Sequence, residues 1–130
     1  MHCLVKLLFV LGSLSLILAG CGDGSGKRDG SAFQHDHAAK LFLEAMKLRP
    51  TNQNQALELL NESIDARPAY NTYFHRGWIY ALQGHENKAL EDIKAGLALE
   101  PDSKDLKWLD GEMKKPAQQR KLDMPPPPVK

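Results

Sequence analysis

Tyr70 to Asp102 reads YNTYFHRGWIYALQGHENKALEDIKAGLALEPD, and its small and apolar residues are spaced for two helices joined by a tight turn. Gly84 supplies the backbone freedom that such a turn needs. Pro101 cannot extend the second helix, so the chain leaves it there. Gly77 is small enough for the first helix to approach the second closely, with Ala89 as its small partner. Tyr73 and Tyr80 fill the space between the helices. The pattern occurs twice. Ala56-Leu57, Leu60, Ile64 and Pro68 recur as Ala89-Leu90, Ile93, Leu97 and Pro101, at an offset of about 33 residues.

Working outward, the earlier copy has a first helix over about 36–48 and a second over about 53–66. The first is apolar nearly all round, with Lys40, Glu44 and Lys47 as its polar stripe. A direct register would bury that stripe, so the turn at Pro50-Thr51-Asn52 must differ in length by a residue or so. Asn52 suits an N-cap. On the other side of the quoted stretch, Asp102 and Ser103 are capping types. Leu106, Leu109 and Met113 then form one apolar stripe, with Trp108 off it. This reads as the solvating terminal helix that repeat arrays require. The expectation is an all-α domain over 35–115: two helical hairpins plus a C-terminal capping helix. Arrays normally need about three repeats or more, so this one should be marginal alone.

Tyr73, Gly77 and Tyr80, followed by Ala89, Ile93, Gly96 and Pro101, resemble the signature of the tetratricopeptide repeat. The resemblance implies a short solenoid whose first helices line a concave, partner-binding surface. The ligand-facing positions of that family fall on Asn71, Phe74 and Trp78 here. The family's Lys and Asn clamp for C-terminal carboxylates is absent, so a groove would favour an apolar or amphipathic segment. Phe74 and Trp78 share one helix face, and could equally be core, or be covered by the chain's own tail or by a second copy. Arg76 stands where the family has leucine; it must pair with Glu44 or Asp110, or reach water along its stem.

At the N-terminus, Lys6 is followed by the apolar run LLFVLGSLSLILA, too short to span a bilayer, which needs about 20 residues. Its position and the small residues at its end fit a cleaved secretory signal over 1–20. The end, Leu18-Ala19-Gly20-Cys21, resembles the bacterial prolipoprotein lipobox. That implies cleavage before Cys21 and lipid, diacylglyceryl and often a further acyl chain such as palmitate, on Cys21. Two or more chains make a stable membrane anchor where one is marginal. Gly22, where an inner-membrane-retained lipoprotein would carry Asp, favours the outer membrane in an organism that has one, with the domain facing the periplasm. Residues 22–34, GDGSGKRDGSAFQ, read as a flexible tether with a reach of about 20 Å.

With 17 basic and 16 acidic residues in 130, the chain shows no basic excess of the kind that marks a nucleic-acid binder. Cys3 would leave with the signal, and Cys21 would be acylated, so no disulfide framework or cysteine zinc site is available. His35 and His37 sit two apart on different sides of a helix with no further ligands nearby. His75 and His85 read as surface residues. No nucleophile–base set can be assembled, so no catalysis, metal or cofactor beyond the covalent lipid is expected. The tail, 116–130, is basic and ends in MPPPPVK; it reads as solvated and extended, with a docking arm for a partner or anionic lipid as the alternative. The function expected is a membrane-anchored, non-catalytic protein-binding adaptor or scaffold of the cell envelope. Its partner would be an envelope protein or an apolar or amphipathic segment. The alternative is a self-associating structural lipoprotein, a homodimer without a dedicated client. Lipoproteins of this general kind serve outer-membrane protein assembly, pilus assembly or cell-wall hydrolase recruitment.

Overall fold

Side-chain caps mark where two of the helices begin, and a glycine or proline marks where others end. The structure, a computed structural model, describes residues 30–123. It contains helices α1 (Gly30–Leu48), α2 (Gln53–Ala66), α3 (Tyr70–Leu82), α4 (Glu86–Leu99) and α5 (Lys104–Met113), then a short 3-10 turn at Ala117–Gln119. Among the described residues there is no strand. The Asn52 side chain accepts from the amide of Gln55 at 3.1 Å, and that of Ser103 accepts from Leu106, capping α2 and α5. Gly84 turns the chain between α3 and α4 at φ 77°, in the left-handed region that glycine enters without penalty.

The helices form two hairpins, α1–α2 and α3–α4, with α2 packed on α3 and α5 on both α3 and α4. This is the expected all-helical array of two hairpins and a terminal helix. Its core has two centres. Ala45, Ala56 and Leu60 meet Ile79 of the next hairpin, while Phe74, Trp78, Ile93, Leu106 and Leu109 fill the space around α3, α4 and α5. Leu60, Ile79, Leu106 and Leu109 are fully buried, each contributing about 1.5–3 kcal/mol. Gly77 lies where a Cβ would be 3.1 Å from Asp92 Cβ and 3.4 Å from the Ala89 carbonyl, as its role at a close helix crossing requires.

The first hairpin is offset as the polar stripe demanded. Ala45, not Glu44, is the small residue buried against Ala56, so the spacing is one residue shorter than from Gly77 to Ala89. Lys40, Glu44 and Lys47 consequently face solvent. Two expectations need correction. Residues 30–34 were expected in the coil but belong to α1, because no proline or interior glycine stops that helix before Asp36. Residues 116–123 were expected to be solvated, yet Leu122 packs on the core. The signal segment 1–20, Cys21, the tether up to residue 29 and the proline run lie outside the described residues.

Candidate functional site

The face built by the first helix of each hairpin is an aromatic cluster centred on Trp78. Helical spacing places Phe74 and Trp78 on one side of α3, with His75 between them. Phe74 and Trp78 stack with ring centroids 5.7 Å apart, and His75 touches both Phe74 (4.9 Å) and Phe42 of α1 (5.4 Å). From α5, Trp108 meets Trp78 edge-on at 6.1 Å. The Arg49 guanidinium lies 4.6 Å over the Trp78 ring, close enough for a cation–π contact.

Arg49 also contacts His75, Nη1 to Nδ1 at 3.2 Å. Arginine can only donate, so His75 Nδ1 must be the bare acceptor and the ring neutral. Burial, and then the nearby Arg49 charge, lower the His75 pKa from 6.5 to about 4. His75 is therefore not the surface residue expected; His85 is.

Trp78 is only 7% exposed and Phe74 3%. What closes the face over Trp78 is the chain itself: the indole N–H donates to the Leu122 carbonyl at 2.7 Å. Of the two readings the sequence left open, core or groove, the structure places both aromatics in the core, with the tail bonded to Trp78. Asn71 is separated from them. It is exposed, its Oδ1 accepts from the Thr72 amide at 2.9 Å, and it lines a cleft of about 180 Å³ with His35, Ala38, Phe42 and Arg67. Of the other repeat residues, Ala89 and Ile93 are buried, Tyr73 and Tyr80 half-buried, and Pro101 follows the end of α4.

Arg76 pairs with neither Glu44 nor Asp110. It grips Asp92 of α4 with two bonds, Nε–Oδ2 at 2.9 Å and Nη2–Oδ1 at 2.6 Å, and reaches Asn61 of α2 with Nη1 at 2.7 Å. The pairing follows from Gly77, whose missing Cβ lets α4 approach just where Asp92 projects. Burial pushes the Asp92 carboxyl above its ordinary value, against the pull of Arg76.

Trp108 was missed as a site residue. It lies off the apolar stripe of α5, and only the packing of α5 on α3 brings it edge-on to Trp78, so nothing in the sequence marked it. Among the described residues, no three or more His, Cys, Asp or Glu side chains are grouped to hold a metal ion, and no helix is long and apolar enough to cross a membrane. No buried side-chain nitrogen or oxygen among them lacks a partner. Searches of family models, curated proteins and solved structures return no match to the chain.

Proposed function

We propose that the chain is a lipid-anchored, non-catalytic adaptor of the bacterial cell envelope, built on two tetratricopeptide-like hairpins. The observation that carries this reading is the apolar run closed by Leu18-Ala19-Gly20-Cys21, directly ahead of a Gly-rich segment. Lipid on Cys21 would fix the chain to a membrane, the outer one where there are two. The Gly-rich segment gives reach, and the helical array presents a surface to a protein partner. Packed helical hairpins with half-buried polar seams suit this work, since such arrays bind through side chains displayed on a rigid frame.

Exposed Asn71, beside the cleft between the hairpins, is the predicted contact that remains accessible. Photo-crosslinking in cells from position 71 of the full-length chain tests the adaptor. An adduct with a different envelope protein supports it, whereas an absence of adducts from a folded, membrane-bound chain opposes it. A second reading has its own observation. Leu43 on α1 and Leu90 and Leu99 on α4 are large apolar side chains 58%, 44% and 52% exposed. Burying such side chains against a second copy would stabilise a dimer, and an adduct of twice the monomer mass would favour the self-associating form.

A further inference from the structure

The segment after α5 is held by chemistry that reads as recognition. Arg120 reaches back to Glu86 at the start of α4, Nη1 to Oε1 at 2.6 Å, with its side chain only 11% exposed. Its other nitrogens donate to the carbonyls of Lys115 and Met113 at 3.0 and 3.3 Å. The Lys121 amide donates to Glu112 Oε2 at 2.9 Å. Leu122 then places its side chain on the apolar cluster and its carbonyl on the Trp78 indole.

Each contact specifies something about an occupant. A nearly buried indole N–H demands an acceptor, which here is a main-chain carbonyl. Glu86 favours a basic side chain, and Glu112, already paired with Lys115, offers its second oxygen to a free main-chain amide. The cluster beside Trp78 takes one leucine-sized side chain. The present occupant meets all of these, but its only ordered element is the 3-10 turn Ala117–Gln119. Segments with few buried apolar groups open at lower free energy than the helices they cover.

We propose that the face of α3 and α5 beside Trp78 is a docking site for an extended, basic, leucine-bearing protein segment. Residues 116–123 of this chain are its resident occupant, displaced by a partner of that chemistry. The proposal deepens the adaptor reading and rests on it for the partner's existence. Displacement itself is read on the purified full-length chain without a membrane, so a failure here is separable from a failure of anchoring or of client binding in cells.

The test uses Arg120→Ala, with Glu86→Ala as the second variant because Glu86 is half exposed and its loss leaves the fold least disturbed. Hydrogen exchange of the Trp78 indole, assigned by its loss in Trp78→Phe, reports tail release. Circular dichroism reports the helices. The probe is a labelled peptide PAQQRKLD, the sequence of residues 116–123, against a control with Glu in place of its Arg and Lys. Both variants are expected to keep their helices and exchange the indole proton at least about tenfold faster than the parent chain. Arg120→Ala, which keeps Glu86, is expected to bind the probe at least about tenfold more tightly than the parent and not the acidic control, whereas Glu86→Ala, which lacks the carboxylate for the probe's Arg, is expected to bind it more weakly than Arg120→Ala does. Unchanged indole exchange in both variants would overturn the proposal, as would a released face in Arg120→Ala that ignores the probe. Loss of the helices in both would overturn it too, making the segment a structural element that cannot be displaced.

Discussion

Arg76 is the residue whose environment most separates this chain from a generic helical repeat. Its guanidinium is one-fifth exposed and its partner Asp92 nearly buried, so removing Asp92 strands a charge between α2, α3 and α4. Breaking a fully buried pair costs about 3–5 kcal/mol; with one partner partly hydrated, Asp92→Ala should cost about 2–3 kcal/mol. A double-mutant cycle with Arg76→Ala, read by urea unfolding, should show coupling above about 1 kcal/mol. The same cycle with Glu44→Ala or Asp110→Ala should be additive. The glycines give a second residue-scale prediction, two losses of stability and one gain. At Gly96 a Cβ would lie 2.7 Å from Cδ1 of fully buried Leu106, so Gly96→Ala should destabilise by about 1–3 kcal/mol. Gly84→Ala meets no atom but forces a left-handed backbone, costing about 1–2 kcal/mol. Gly111 sits in α5 with open space around it, so Gly111→Ala should stabilise by up to about 1 kcal/mol. His75 sets a pH dependence. In the folded chain it stays neutral down to about 4, while the unfolded chain takes up a proton near 6.5. Stability is therefore complete above 6.5 and falls as pH drops from there towards 4, by up to about 3 kcal/mol. His75→Gln keeps an acceptor for Arg49 and should flatten that slope in thermal unfolding. Glu112 adds a loss of the same sign at more acidic pH. Its carboxyl is held below its usual range by the Lys115 ammonium and the Lys121 amide, so that contribution disappears as pH falls through the lowered value.

At the scale of elements, α3 organises the molecule: it packs on α2, α4 and α5, and carries Phe74, His75 and Trp78 on one side and Arg76 and Gly77 on another. How much of this was legible follows from what repeats and what does not. Helix ends at Asn52, Gly84, Pro101 and Ser103 could be read because caps and breakers act locally. The hairpins could be read because their small and apolar residues recur at one offset. The Arg76 partner could not, because Asp92 and Glu44 look alike in sequence, and only the depth of the crossing at Gly77 selects between them. The turn after α1 was constrained by its polar stripe, but its direction needed Ala45 to be seen against Ala56. The tail was least legible: Leu122 is one apolar residue among polar ones, and its carbonyl, not its side chain, makes the bond to Trp78. Trp78→Phe should leave the helices intact and cost about 1–2 kcal/mol, the loss of one buried hydrogen bond plus a little packing. Proteolysis after Arg120 and Lys121 should become faster in that variant, as mass spectrometry of the fragments would show.

For the whole molecule, the structure supplies a frame with two core centres, a polar seam at Arg76 and an aromatic face closed by the chain's own C-terminal side. The proposed function joins the lipobox-like segment ending at Cys21 to this helical array. The measurement that tests it most directly is the intact mass of the full-length chain expressed in a bacterial host, compared with Cys21→Ser. The expected product is a mature chain beginning at Cys21, heavier by a diacylglyceryl group and recovered with membranes, and a Cys21→Ser chain without the added lipid. A parent chain that retains residues 1–20, or carries an unmodified Cys21, would contradict it.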